Sequence, residues 1–165
     1  MMTFAIREIR PADDAAIAAI IRQVLTEFGA NCAGFAWADP ELNQLSQAYT
    51  APNAVYYVIT AAGEVIGGGG IAPFDCKYEA MCELQKMYLS PALRGQGLGQ
   101  ALMQKLLSAA VTHQYRGCYL ETFHKMHAAI RLYQKSGFEP LDTPLGDSGH
   151  GSCDRFFVRW FADQR

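Results

Sequence analysis

Between residues 3 and 9, TFAIREI spaces Phe4, Ile6 and Ile9 in loose alternation, which predicts a half-buried strand. The next run, RPADDAAIAAIIRQVLTEFG, changes period. Ile17, Ile20, Ile21, Val24 and Phe28 fall on one stripe of a helix, with Pro11 suited to its first turn. Asp13 and Asp14 suit the positive end of its dipole, and Gly29 is a ready stop. DPELNQLSQAY predicts a second, shorter helix over 39–49, with Asp39 as cap, Pro40 after it, and Leu42, Leu45 and Tyr49 on one face. Two strands are expected at 54–60 and 64–74, joined as a tight hairpin at Ala61-Ala62-Gly63, and a third at 81–90, closed by Pro91. A helix over about 97–113 turns Leu98, Leu102, Leu106 and Ala109/Ala110 inward. A strand at 117–123 and a helix at 127–137, stopped by Gly137, follow, and FEPL and CDRFFVRWF read as closing strands. The order β-α-α-β-β-β-α-β-α-β-β predicts a mixed α/β domain with helices on both faces of the sheet.

Length and composition sharpen this only modestly. The chain has 165 residues, half of them hydrophobic and 18% charged, as one globular domain over 1–165 requires. A net charge of −2 without a basic run offers no footprint for nucleic acid. The N-terminus lacks the apolar core of a signal peptide, and no apolar run is long enough to span a membrane. The five cysteines are scattered, never C-x-x-C, so reduced thiols in a cytoplasm are expected, most of them small core residues.

The chemistry starts at LRGQGLGQALMQKLL (93–107), where Gly95, Gly97 and Gly99 stand at a helix start. Glycine within a helix costs about 1 kcal/mol relative to alanine, so the run needs a backbone reason. A P-loop is excluded because no Lys-Ser or Lys-Thr follows. Gly67–Ala72 matches the dinucleotide pattern G-x-G-x-x-A by letters, but Pro73 stands where a helix interior is required. That run reads instead as a strand with a bulge or a close neighbour. Arg94-x-x-Gly97-x-Gly99, by contrast, bares backbone N–H groups at a helix N-terminus, an anion site suited to a pyrophosphate.

Here the chain resembles the GNAT N-acetyltransferase superfamily. The family signature is Arg or Gln, two residues, Gly, one residue, then Gly or Ala. ELQKMYLSPALRGQGLGQALM is similar to the family's strand–turn–helix over its whole length, and AIRLYQKSGFEP to its second hallmark segment. The resemblance implies a single-domain GNAT fold, a mixed and mostly antiparallel sheet of about seven strands. It further implies acetyl transfer from acetyl-CoA, as co-substrate, to a primary amine by direct attack. Pantetheine would lie along the backbone of Met87, Tyr88 and Leu89, and the pyrophosphate on Arg94, Gly95, Gln96, Gly97, Leu98, Gly99 and Gln100. Tyr133 matches the tyrosine that family members place near the coenzyme A sulfur, where a phenol with pKa near 10 can return a proton to the departing thiolate. Glu83 matches a position where many relatives carry a glutamate that deprotonates the amine, often through water. The alternatives for these two are a packing tyrosine and a solvated strand residue.

One position departs from the family: Met126 stands where relatives often have an asparagine seven residues before the tyrosine. His124 and His127 are three apart, as metal ligands can be, but no third convergent ligand is evident, so no metal is expected and both are read as solvent-facing, with a contact of His127 to substrate or cofactor left open. The loop PLGDSGHGSCDRFF, with Asp147, His150 and Cys153, is placed to wall the acceptor pocket, and a Cys153–His150 nucleophile pair has no motif to support it. Phe35 and Trp37, in GANCAGFAWAD, are expected on the acceptor side. The acceptor is read as a small-molecule amine. A protein N-terminus or lysine stays open, as do a non-catalytic acyl-CoA-binding domain and a homodimer.

Overall fold

In the computed structural model, which describes residues 2–161, the strands β1 (Phe4–Glu8), β2 (Val55–Ala61), β3 (Glu64–Pro73), β4 (Met81–Leu89), β5 (Gly117–Thr122), β6 (Glu139–Leu141) and β7 (Arg155–Trp160) make one sheet. Their order is β1-β2-β3-β4-β5-β7-β6, and every pairing is antiparallel except β4 with β5. Helices α1 (Asp14–Glu27) and α2 (Leu45–Ala48) cover one face; α3 (Leu98–Thr112) and α4 (His127–Lys135) cover the other. The α1 stripe buries Ile17, Ile21, Val24 and Leu25 against Tyr56 and Val58. On the opposite face Leu102 and Leu106 of α3 and Tyr133 of α4 pack with Ile59, Ile71, Leu120 and Phe157. The mixed α/β class, the strand count and the helices on both faces agree with the sequence. Among the described residues no helix is long and apolar enough to cross a membrane.

The expected helix over 39–49 is broken. Residues Ala36–Ala38 and Pro40–Gln44 are 3-10 turns, and only Leu45–Ala48 is α-helical. Asp39 caps nothing with its side chain. Its carboxylate turns inward to Lys86 and His150, so it is not offered to the helix start, and Pro40 supplies no N–H. The apolar face survives all the same: Leu42, Leu45 and Tyr49 are buried. The cysteines also depart from expectation. Cys82 and Cys118 are buried, whereas Cys76 and Cys153 are half-buried and Cys32 is exposed.

Two features of the sheet create the site. Along β3 a Cβ at Gly68 would stand 2.7 Å from the Tyr56 ring, and one at Gly70 2.7 Å from Tyr56 and 2.8 Å from Tyr49. The glycines therefore clear space for two stacked-in tyrosines, not for a nucleotide. Those tyrosines in turn hold β4: Tyr56 Oη donates to the Lys86 carbonyl at 2.8 Å and Tyr49 Oη to Gln85 Oε1 at 2.8 Å. At this point the register jumps from Gly68↔Tyr88 to Gly70↔Gln85, so Lys86 and Met87 oppose Gly69 alone. This is a bulge, and Lys86 takes a left-handed φ of 49° within it. The second feature lies beside the first. Pairing of β4 with β5 stops at Glu83↔Tyr119, and beyond it β5 pairs only with β7. The two parallel strands splay, and the gap opens into two adjoining cavities.

Candidate active site

The outer cavity, of about 210 Å³, runs from the splayed end of β4 to the start of α3. Met87, Tyr88 and Leu89 line it, with Leu132 and Tyr133 of α4 opposite. Its far end is the glycine turn. Gly97 is the N-cap of α3 at φ 77°, and no side chain caps the helix. The Gly97 carbonyl accepts first from Ala101, so the amide N–H groups between them have no partner within the helix. Gly95 has φ 80°, and a Cβ at either glycine would meet nothing within 4 Å. Backbone conformation, not crowding, is what requires glycine at both. Gly99 differs: its Cβ would press on Leu132 at 3.3 Å, so there glycine lets α3 approach α4.

The expected pyrophosphate residues are not all on one wall. Arg94, Gly95 and Gly99 reach the cavity; Gln96, Gly97 and Gln100 are exposed at the turn, and Leu98 is buried in the core beneath. Arg94 forms a bidentate ion pair with Glu27, at 2.8 and 2.9 Å, and its guanidinium lies 5.7 Å from the centre of the Phe28 ring. That pair ties the end of α1 to the glycine turn.

The inner cavity, about 50 Å³, shares Met87, Tyr88, Met126 and Tyr133 with the outer one. Met126, where the family often has asparagine, is buried at the junction, an apolar partition. Glu83 is only 5% exposed, which excludes the solvated strand residue. Burial, and then the neighbouring Glu121 charge, raise its pKa to about 7 against the opposing pull of His150, Lys86 and Gln85. Tyr133 is 7% exposed, and burial pushes its pKa upward, so the phenol stays protonated. Among the described residues nothing hydrogen-bonds its hydroxyl, although its ring packs on Phe138 and Phe157. The site thus brings a carboxylate poised near neutrality and a neutral phenol to one cavity.

Around them stands a charged frame of which the sequence points only to His150, on the loop expected at the acceptor pocket. Lys86, its side chain 3% exposed, reaches Asp39 at 2.7 Å and Glu41 at 3.0 Å. His150 Nε2 lies 2.9 Å from both Asp39 oxygens, which raises the imidazole pKa. The Ser152 N–H donates to the Gly34 carbonyl at 3.1 Å, so the segment before Asp39 and the loop before β7 are knitted over the cavity. Phe35 lines it; Trp37 does not, and packs instead against the α1 cluster. Cys153 also lines it, but burial and the surrounding carboxylates push its pKa up to about 12, and His150 faces Asp39. A thiolate nucleophile has no support there. Of the two histidines near α4, His127 is exposed and His124 is exposed on Asp154, 2.7 Å away. The signal for Lys86 and Glu121 was weak: single charges inside the strand-like runs MCELQKMYLS and GCYLETF.

Comparison with known proteins identifies the family. The model of the acetyltransferase (GNAT) family matches residues 20–138. The uncharacterized N-acetyltransferase YjgM of Escherichia coli (strain K12) is 43% identical over 154 residues, 93% of this chain and 92% of that protein. Among solved structures, a GNAT-family acetyltransferase from Staphylococcus aureus Mu50 superposes with a TM-score of 0.85 at 20% identity, over 96% of this chain and 99% of that one. The protein yncA from Salmonella typhimurium, solved with its cofactor acetyl-CoA, gives 0.75 at 21% identity, over 96% and 94%. By its glycine turn, its splayed strands and its kinship over nearly the whole chain, this protein belongs to the acetyltransferase (GNAT) family.

Proposed function

We propose that the protein transfers an acetyl group from acetyl-CoA to the primary amine of a small molecule by direct attack, in one ternary complex. The residues present fit the co-substrate. The uncapped α3 N-terminus, with the left-handed Gly95 and Gly97 ahead of it, presents donors to a pyrophosphate, flanked by Arg94. Met87, Tyr88 and Leu89, freed from pairing with β5, have backbone groups available to pantetheine. Acetyl-CoA supplies the activated acyl group, a thioester.

The observation that carries the reading is the buried Glu83 facing the same small cavity as Tyr133. An aliphatic amine has a pKa near 10, like lysine, and arrives as ammonium. Glu83, ionised above about pH 7, accepts one ammonium proton and leaves the nitrogen lone pair free. As the N–C bond forms and the C–S bond breaks, Tyr133 gives its proton to the departing thiolate. The second nitrogen proton restores the phenol through solvent, so one proton is released overall. The Leu89 N–H, or a neighbour, would polarise the thioester carbonyl. Cys153, protonated at neutral pH, takes no covalent part.

Thiol release from acetyl-CoA across a panel of primary amines tests the reading. Turnover should climb with pH through a limb near 7 that is absent in Glu83→Gln. Acetyl-CoA binding without release for any amine would make this a binding domain instead.

A further inference from the structure

The inner cavity holds a second carboxylate for which the reaction above has no use. Glu121, on β5, lines the cavity with Glu83, and among the described residues its Oε2 is fully buried without a hydrogen-bond partner. The nearby Tyr119 hydroxyl is likewise buried without a partner at full hydrogen-bond geometry, and it lies close enough to Glu121 for that carboxylate, after burial itself, to raise its pKa. A buried carboxylate oxygen left unsatisfied is costly, and in a cavity wall it is a vacancy for a donor. The charge around it has a definite sign. The cations lining the cavity, Lys86 and His150, are both already on Asp39, and Lys86 is also on Glu41. Glu83 and Glu121 have no such cation. Phe35 and Phe123, 5.0 Å apart, supply an apolar wall beside them.

We propose that Glu121 is the acceptor-binding residue, and that with Glu83 it makes the inner cavity a site for an alkylammonium ion carrying no carboxylate beside the reacting nitrogen. The inference deepens the function proposed above and rests on it for the identity of the reacting nitrogen. In the Michaelis complex the ammonium donates to Glu121 and to Glu83, satisfying the orphaned oxygen. Glu83 then takes one proton, and Glu121 retains the amine through a remaining N–H. An α-carboxylate would face two carboxylates and no unengaged cation, which is the discriminating penalty.

The groups facing Glu83 must be kept in view when this is tested by pH. They are Lys86 from β4, Tyr119 and Glu121 from β5, His150 and Cys153 from the loop before β7, Tyr133 from α4, and Tyr49 and Asp39 from the segments over the cavity.

The experiment compares wild type with Glu121→Gln and Glu121→Asp, using n-butylamine and norvaline, its counterpart with a carboxylate on the reacting carbon. Binding is read first without turnover, by thermal shift and calorimetry of the complex with CoA, which has no acetyl group to transfer. The wild type should bind butylammonium at least tenfold more tightly than norvaline. Glu121→Gln should lose about tenfold for butylammonium, and Glu121→Asp should recover part of it. In turnover, Glu121→Gln should raise KM for butylamine by the same factor, alter kcat little, and move the limb near pH 7 downward. Equal butylammonium binding by wild type and a folded Glu121→Gln, or norvaline binding as tightly as butylammonium, overturns the proposal. If binding follows the expected pattern but no amine is acetylated, Glu121 keeps its role and the transferase reading fails instead.

Discussion

The two cavities that meet at Tyr133 are made of different material. The outer one is walled mainly by backbone and apolar side chains from short stretches: the end of β4, the glycine turn, the face of α4, and Val24 and Phe28 at the end of α1. The inner one mixes apolar residues with ionisable side chains from separate segments, Glu83 and Lys86 of β4, Glu121 of β5 and His150 of the loop before β7, and Asp39 behind them pairs with Lys86 and His150. A ligand carried by many related proteins can be held by main-chain groups that any sequence supplies, provided the turn is right. A ligand particular to one protein has to be read by side chains. The difference between the cavities is thus a division between generic and specific recognition.

The comparison predicts that substitutions in the inner cavity damage turnover while sparing acetyl-CoA affinity, and that those at the glycine turn do the reverse. The largest effect is expected for Glu83→Gln. Removing a general base typically costs roughly 10²–10⁴-fold. Turnover at pH 7 should fall within that range, with the dissociation constant for acetyl-CoA unchanged by calorimetry. The loss should shrink as pH approaches the amine's own pKa. Stability should move the other way. The Glu83 pKa is raised in the folded state, from 4.5 to about 7, so the native state binds more protons than the unfolded one between those values. Its ionisation is therefore destabilising above about pH 4.5, fully so above about 7, by a few kcal/mol. Glu83→Gln should consequently gain melting temperature relative to wild type at pH 8 but not at pH 4. A pH-independent difference in melting temperature would mean that Glu83 is not held in the environment described.

Tyr133→Phe comes next. The ring packs against Phe138 and Phe157, and its hydroxyl has no partner, so the variant should melt within a degree or two of wild type. A fall in kcat of about 10–100-fold is expected, below the usual range for a general acid because a thiolate is a tolerable leaving group. Unchanged kcat in an equally stable protein would leave Tyr133 a packing residue of the junction.

At the turn, Gly97→Ala puts a Cβ where there is open space but imposes a φ of 77° that alanine resists. The turn should relax away from that geometry and acetyl-CoA affinity should weaken by about tenfold, roughly 1.4 kcal/mol, with kcat at saturation preserved. Full affinity would show that the left-handed N-cap is dispensable for binding.

The same division explains what could be read from the chain in advance. Every strand and the two long helices were legible because their apolar periods are local, and the glycine turn because its residues are adjacent. Glu83 and Tyr133 were legible only through the family's spacing, since nothing within MCELQKMYLS shows that the glutamate is buried. Asp39 was misassigned because its sequence position before Pro40 suits a cap. Its partners, Lys86 and His150, lie far along the chain. Glu121 left only a weak local signal, a single charge within GCYLETF: the burial of its Oε2 depends on where β4 and β5 part, beside a bulge that Tyr56 and Tyr49 hold across the sheet.

The smallest expected effect belongs to the one strong ionic contact of the outer cavity. Arg94 is held bidentately by Glu27, with both side chains about a third or more exposed, 33% and 40%. Exposed pairs of this kind contribute about 0–1 kcal/mol, so Glu27→Gln should leave the melting temperature nearly unchanged. Its effect on acetyl-CoA should nonetheless be measurable. The Glu27 carboxylate cancels the Arg94 charge at the rim where the phosphates are proposed to sit, and its own charge repels them. Neutralising it should tighten acetyl-CoA binding by about two- to fivefold at low ionic strength. The gain should fade at high salt, where the Debye length drops to about 3 Å at 1 M. A salt titration of the dissociation constant for wild type and Glu27→Gln checks both features together. Weaker binding in the variant would reverse the interpretation: Glu27 would then be the residue that aims Arg94 at its anion, and the outer cavity would depend on a side-chain frame much as the inner one does.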